Sequence, residues 1–312
     1  MLFCGRMLRE EQKHGHILLR DFYFRRAFRI LPPALLYLLT LAVLSPILKV
    51  TKHELVSALF FFRNYALTGG VQALWFTVHF WSLAVEEHFY LLLPAIMVLF
   101  PKRRVWVLGA LTICVVAWRW WAHQVQFDEG YRTDTIIDAL LIAALLAIAA
   151  NSDHYAGYLR RLLSPLASLL LLTMYAALIY IKIPFHLVVQ SVIVPLVLLG
   201  TSQNSHNLLG RFLEWAPLCW VGRLPYILYL WQQLFFCDKE LLGPLPLGVL
   251  ENWPLKLVGL VGCSAISYYT LERPMMRLGH RIASSGIPGR GSISPNIRPK
   301  VSCEAMPWTR GR

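Results

Sequence analysis

Charged residues are scarce in this sequence. Only 15% of its 312 residues are Asp, Glu, Lys or Arg, while 57% are hydrophobic. A soluble domain carries about 25% charged residues. Because long apolar runs recur along the whole chain, the scarcity excludes a soluble domain with one anchor and indicates a multi-pass membrane protein. We therefore predict an all-α fold, a bundle of transmembrane helices.

Clustered metal ligands are also absent from the sequence. The six cysteines are scattered, with no CxxC pair and no Cys/His cluster, so neither a zinc site nor a disulfide framework is predicted. No nucleic-acid motif accompanies the net charge of +13, and we expect no nucleic-acid partner. Residues 1–30 are basic and polar, so we expect no secretory signal peptide before the first span.

Eight apolar runs are candidate membrane spans. They cover residues 31–48, 78–100, 105–122, 136–150, 163–181, 186–200, 218–237 and 253–271. Segment 55–67 is apolar but short and contains Arg63, so we expect it to lie at the interface or to re-enter the membrane. Residues 1–281 form the predicted membrane domain, and residues 282–312 a basic, disordered tail.

Lysine and arginine concentrate on one side of the predicted bundle. With residues 1–30 in the cytoplasm, the cytoplasmic segments hold 21 Lys and Arg, and the opposite segments hold 6. Positive residues favour the cytoplasmic side of a membrane protein. Both termini are therefore predicted to lie in the cytoplasm, and the family resemblance described below implies the bacterial plasma (inner) membrane.

The run FWSLAVEEHFYLLLP (80–94) carries two adjacent carboxylates, Glu86 and Glu87, inside a predicted span. A charge at mid-membrane costs about 2.5–3.5 kcal/mol on insertion scales. At 100° per residue, four polar side chains of this helix fall on one stripe. They are His79, Ser82, Glu86 and Tyr90. Such a stripe is expected to face the bundle interior or a wet cavity, either as a structural network or as a site with a catalytic or substrate-binding carboxylate.

From this stripe we predict that Glu86 faces the core and contacts a basic or hydroxyl group. The candidate partners are Arg132, Tyr229 and Arg223. Glu87, at the edge of the stripe, is predicted to lie nearer a water-filled opening or the interface.

Three arginines, Arg25, Arg26 and Arg29, lie in DFYFRRAFRILPP, just before the first span. Guanidinium groups at a span mouth can hold phosphates bidentately; the alternative is contact with anionic lipids and control of topology. We expect Pro32 and Pro33 to mark an N-terminal turn or kink.

Five motifs occur in a characteristic order. They are DFYFRRAFRILPP (21–33), FWSLAVEEHFYLLLP (80–94), YRTDTIIDALL (131–141), GRLPYILYLWQQ (222–233) and YYTLERP (268–274). In this order they resemble the acyltransferase-3 family, integral membrane O-acyltransferases that modify bacterial cell-surface polysaccharides and other acceptors. The similarity covers residues 8–280.

The resemblance implies acyl-CoA as the donor substrate, no bound cofactor, and a hydroxyl of a carbohydrate or lipid-linked acceptor. It assigns the basic motif to the phosphates of CoA through Arg25, Arg26 and Arg29. The remaining motif residues that it implies are Trp81, Ser82, Glu86, Arg132, Asp138, Tyr229, Gln232, Glu272 and Pro274.

The family pattern has ten spans, and this sequence has eight. The segments expected to be missing are the first two spans, which carry the family's catalytic His. Glu86 is then the best remaining carboxylate and His79 the best remaining imidazole for catalysis, with Tyr90 as a further substrate-binding residue of the stripe. The leading hypothesis is an O-acyltransferase. A transporter or flippase is the alternative, since intramembrane charges also mark substrate pathways, and an inactive truncated remnant is the third.

Overall fold

The computed structural model describes residues 2–67, 75–125, 130–152, 155, 157, 165–181, 186–203, 215–222, 224–237 and 252–284. Within these residues every regular element is a helix and none is a strand. The predicted all-α class is confirmed.

The helices α1 to α15 follow in chain order, with one π-helical turn between the last two. They are α1 Leu2–His14, α2 Leu19–Leu48, α3 Lys52–Leu59, α4 Arg63–Ala66, α5 Trp75–Val78, α6 Phe80–Leu99, α7 Arg104–Gln124, α8 Thr133–Ile136, α9 Asp138–Ala150, α10 Pro165–Ile181, α11 His186–Gln203, α12 Ala216–Val221, α13 Pro225–Phe235, α14 Trp253–Ser267, the π-turn Tyr268–Glu272, and α15 Arg273–Ser284.

Three of the described helices are long and apolar enough to cross a membrane. They are Leu19–Leu48, Trp75–Leu99 (α5 and α6 together) and Arg104–Gln124. The apolar stretches Asp138–Ala150 and Val189–Gly200 are shorter. The count of eight spans therefore stays a prediction.

Helix α2 begins twelve residues earlier than the first predicted span. It runs from Leu19 and carries Pro32 and Pro33 in its interior, so the expected N-terminal turn is wrong, while the alternative of a kink stays a prediction. The extra turns pack against α15, where Gly279 lies against Phe28. A β-carbon at position 279 would stand 2.7 Å from the Phe28 β-carbon. This close packing stabilises the segment despite the hydrogen bonds that proline removes.

The segment predicted to be interfacial forms α3 and α4. Thr51 and Glu54 cap α3 reciprocally, because the Thr51 hydroxyl accepts from the Glu54 amide and the Glu54 carboxylate accepts from the Thr51 amide. The second Glu54 oxygen accepts from Arg63 at 2.9 Å, and both side chains are almost fully buried. Arg63 is thus neutralised inside the protein.

The chain folds into two compact units. Over the described residues, unit 1 contains residues 2–17 and 88–219, and unit 2 contains residues 18–87 and 220–284. The unit boundary falls within α6, between Glu87 and His88. The core of unit 2 is formed by fully buried side chains from α2, α5, α6 and α13. They are Tyr37, Leu41, Phe76, Phe80, Ile227 and Leu230.

Two predicted spans differ in detail from the structure. The run 218–237 is divided, because α12 ends at Val221 and α13 begins at Pro225, which occupies the first turn where proline is favoured. The last run continues through the π-turn into α15 and ends at Ser284, within the predicted tail. Residues 285–312 lie outside the described residues.

Candidate functional site

Both carboxylates of the run 80–94 approach one guanidinium in unit 2. The Arg26 Nη2 atom lies 3.1 Å from Glu87 Oε1 and 3.7 Å from Glu86 Oε2. The Arg26 side chain is 8% exposed, Glu87 20% and Glu86 49%. Two carboxylates therefore share one buried cation, and the more accessible one, Glu86, is the less tightly paired.

Glu86 contacts a basic group as predicted, but the predicted burial of the two glutamates is reversed. Glu87 is the more buried of the two, and the partner of Glu86 is Arg26 rather than a predicted candidate. Tyr229 hydrogen-bonds to Ser82 and to the His79 carbonyl, Arg132 pairs with Asp134, and Arg223 lies outside the described residues. The polar stripe predicts only where each side chain points around α6. Which charge the glutamates pair with depends on α2, because α2 supplies Arg26.

A second ion pair joins α2 to the π-turn. The Arg29 Nε atom lies 4.0 Å from Glu272 Oε1; Glu272 is 2% exposed and Arg29 is 44% exposed. The Glu272 Oε2 atom has no hydrogen-bond partner among the described residues. Single π-turns occur frequently at functional sites, and this one contains the buried carboxylate that meets the accessible arginine.

The arginines of the basic motif differ in accessibility. Arg25 is 33% exposed and lies 3.9 Å from Asp21 one turn earlier. Arg29 is also open to a ligand, whereas Arg26 is enclosed and engaged by Glu86 and Glu87. The predicted triad of phosphate ligands thus comprises two accessible arginines and one buried arginine.

Ser82 and Tyr229 form a hydroxyl pair in unit 2. Their oxygens are 2.5 Å apart, and the Tyr229 hydroxyl lies 2.6 Å from the His79 backbone carbonyl. Either hydroxyl of the pair can donate to the other, and the Ser82 hydroxyl also lies 3.3 Å from the same carbonyl. The structure thereby brings together two residues predicted from distant motifs, one turn of α6 before Glu86.

His79, the predicted catalytic imidazole, is 3% exposed. Its ring packs edgewise against Tyr37, Phe80 and Tyr229 at centroid distances of 4.9–5.4 Å. Neither ring nitrogen makes a hydrogen bond of standard geometry within the described residues. A substrate would reach His79 only after the aromatic rings moved, so its catalytic role stays a prediction.

Trp81 and Gln232 are half-buried members of unit 2. The Gln232 backbone carbonyl accepts from the Phe236 amide at the end of α13. Their predicted contacts with substrate stay predictions.

Three predicted site residues belong to unit 1. Tyr90 is buried and packs edgewise against Phe3, with ring centroids 5.1 Å apart. Asp138 is fully buried and accepts from Arg119, which also donates to the Thr135 backbone carbonyl. This second centre is sealed from solvent and is built as a structural ion pair.

Arg132, the third predicted site residue in unit 1, pairs with Asp134 at 3.1 Å. The Trp118 indole also donates to Asp134 at 2.8 Å. Burial raises the pKa of Asp134, but the hydrogen bonds from Arg132 and Trp118 outweigh it and leave the pKa below its usual value.

Two buried ion pairs escaped the sequence analysis, Arg119 with Asp138 and Glu54 with Arg63. The signal for the second was present, because T-x-x-E at residues 51–54 is a capping box and Arg63 follows within one short segment. Arg119 stood in an apolar run with no local partner, and only the fold identifies Asp138 as its counter-ion. Among the described residues there is no group of three His, Cys, Asp or Glu that could hold a metal ion.

The chain is similar to known proteins along most of its length. The acyltransferase-3 family, described as an acyltransferase domain, matches residues 7–271. A Bacillus subtilis (strain 168) protein named "Putative peptidoglycan O-acetyltransferase YrhL" is 24% identical over 309 residues, covering 84% of this chain and 46% of that protein. The peptidoglycan O-acetyltransferase OatA of Listeria monocytogenes is 22% identical over 270 residues, covering 74% of this chain and 42% of that protein. The chain thus spans less than half the length of these relatives. No solved structure matches it significantly.

Proposed function

The chain belongs to the acyltransferase-3 family, and on that premise we propose that it is an O-acyltransferase of the bacterial plasma membrane. It moves an acyl group, acetyl in the first instance, from acyl-CoA to a hydroxyl of a cell-surface carbohydrate or a lipid-linked acceptor. The family match, the long apolar helices and relatives named as peptidoglycan O-acetyltransferases support this proposal.

The donor binds at the N-terminal part of α2. Arg25 and Arg29 are accessible enough to pair with the phosphates of CoA, and charge-assisted pairs with guanidinium are short and strong. Arg26 does not reach the phosphates in this proposal, because it is buried and neutralises part of the charge on Glu86 and Glu87.

The acceptor hydroxyl gives its proton to Glu86. Two carboxylates at one guanidinium leave Glu86 as an acceptor that is half-exposed and incompletely paired, which suits a general base. The hydroxyl oxygen then bonds to the thioester carbonyl carbon, the carbon–sulfur bond breaks, and CoA leaves as the thiolate. The Ser82 and Tyr229 hydroxyls, one turn away, orient the acceptor.

A single observation carries the proposal: the buried Arg26 shared by an enclosed Glu87 and an accessible Glu86, in a chain whose family transfers acyl groups. Arg26 already has Glu87 at 3.1 Å, so Glu86 is not needed to neutralise it and stays accessible to an acceptor.

Isotope transfer tests the activity directly. The 312-residue chain, purified in detergent, is incubated with radiolabelled acetyl-CoA and soluble peptidoglycan fragments, and both acetylated fragments and free CoA thiol are measured. We expect label in an alkali-labile ester on the fragments, with thiol released in equal amount. Thiol release that is the same without fragments, or no CoA binding at all, would overturn the proposal.

A further inference from the structure

A cavity of about 320 Å³ lies within unit 1, at the ends of three helices. Leu8 and Gln12 of α1 line one side, Lys102 and Arg104 at the start of α7 line the second, and Asn151 and Ser152 after α9 line the third. The volume is at the lower end of the range for small-molecule sites. None of the residues assigned above to acyl transfer lines it.

Positive charge dominates the cavity wall. Lys102 and Arg104 both contribute, and Arg103 stands exposed between them. Helix α7 begins here with no acidic residue in its first turn and no side-chain cap, so its dipole adds positive potential. The nearby acid Glu11 is held by Arg104 at 2.6 Å. The cavity therefore favours an anion.

The C-terminal end of α9 would ordinarily repel an anion through its unpaired carbonyls. Here the Asn151 amide groups of the backbone and side chain donate to Ala147, with the side-chain bond at 2.7 Å, and the Ser152 backbone amide donates to Ala149. Because these carbonyls accept hydrogen bonds, the end of α9 presents fewer bare negative dipoles to the cavity.

Apolar side chains lie in the cavity wall and at sequence positions beside it. Val105 and Ile148 form part of the wall. Next to Val105, Trp106 is 80% exposed and Phe100 is 44% exposed. Exposed aromatic side chains beside basic residues are typical of the membrane–water interface. The occupant that fits both the charge and the apolar margin has a phosphate group and acyl chains.

We propose that this cavity binds the phosphate of an anionic phospholipid, with Lys102 and Arg104 as its cationic ligands and the acyl chains lying along Val105 and Trp106. Basic pockets between membrane helices are known to bind such headgroups. The site shares no residue with the proposed acyl-transfer site. A test of lipid binding is therefore independent of whether the enzyme activity is found.

The proposal is tested by measuring which lipids stay bound to the purified chain. The full chain is purified from mixed micelles of phosphatidylcholine and phosphatidylglycerol, and the lipids that stay bound are counted by native mass spectrometry. We expect one retained phosphatidylglycerol per chain in preference to phosphatidylcholine. Lys102→Gln should weaken its binding about fivefold, on the scale of one basic residue at a lipid headgroup, and Ser152→Phe should weaken it by filling the cavity.

Arg103→Gln is the matched control, because it removes the same charge from the neighbouring residue without lining the cavity. Equal retention in Lys102→Gln, Ser152→Phe and the unaltered chain overturns the proposal. Equal weakening by Arg103→Gln overturns it as well, because general surface charge would then explain binding. Full displacement by millimolar inorganic phosphate would overturn the lipid assignment in favour of a soluble phosphate.

Discussion

Two arginine–carboxylate centres of this protein differ in balance and in access. In unit 2, Arg26 faces two glutamates, and Glu86 is 49% exposed. In unit 1, Arg119 faces Asp138 alone, and the aspartate is fully buried. Both centres pair an arginine with a carboxylate. One centre keeps a carboxylate that an external molecule can reach, and the other keeps none.

The difference separates two uses of charge among apolar helices. A buried pair of one cation and one anion neutralises itself, and removal of either partner leaves an uncompensated buried charge. A centre with surplus carboxylate retains negative charge, which is costly in an apolar setting unless it has a role. Charge balance and exposure together therefore identify the Arg26 centre as the candidate for chemistry.

Breaking the sealed centre should have the largest effect on stability. Arg119→Met leaves Asp138 buried without its cation, and loss of one partner of a buried pair costs about 3–5 kcal/mol. We expect a steep fall in expression and a lower midpoint of thermal unfolding for the detergent-purified chain. The double variant Arg119→Met with Asp138→Leu should recover most of that loss. A single variant as stable as the unaltered chain would show that the centre is not structural.

The open centre should respond in the opposite way. Glu86→Gln keeps the shape and removes a half-exposed charge, while Arg26 retains Glu87 at 3.1 Å. We expect little change in unfolding temperature but a loss of acetyl transfer of about 10²–10⁴-fold, as for removal of a general base. CoA affinity should stay the same. A stable variant with full transfer activity contradicts the role given to Glu86.

The third prediction compares two arginines of α2, one that is proposed to bind CoA and one that is not. Arg29→Ala removes an accessible guanidinium near Glu272, and a hydrogen bond to a charged group contributes about 1.5–3 kcal/mol. We expect CoA to bind at least tenfold more weakly in calorimetry. Arg20→Ala is the control, because Arg20 lies over the Phe24 ring on the same helix and outside the cluster. Unchanged binding after replacing both Arg25 and Arg29 refutes the donor site.

Composition and apolar runs were sufficient to predict the helical class, because burial in lipid leaves few alternatives to helix. They also located the Arg26 and Glu86 motifs. They did not predict that Pro32 and Pro33 lie inside α2, since proline statistics describe a local preference and the contact of Phe28 with Gly279 is non-local. Tertiary packing overrode the local signal.

The partners of the charged side chains were harder to predict from the sequence than the helices were. A helical wheel gives the direction of Glu86 and Glu87 around α6, but the identity of the partner depends on which helix packs there. For the same reason Arg119 had no visible counter-ion in the sequence, although Asp138 lies nineteen positions later. Glu54 and Arg63 were more tractable, because both fall in one short segment with a capping signature.

The exposed pair Arg132 with Asp134 completes the comparison and should give the smallest effect. Since the Asp134 pKa is depressed in the folded protein, its contribution to stability is present above its unfolded pKa, near 3.8, and is lost as pH falls through the lower folded pKa. Partly exposed pairs contribute about 0.2–1 kcal/mol. Asp134→Asn should therefore lower the unfolding temperature slightly at pH 7. At pH 3 and below, the difference from the unaltered chain should shrink. A difference that stays constant between pH 7 and pH 2 would assign the effect to lost packing with Trp118 rather than to charge, and would remove this pair from the comparison.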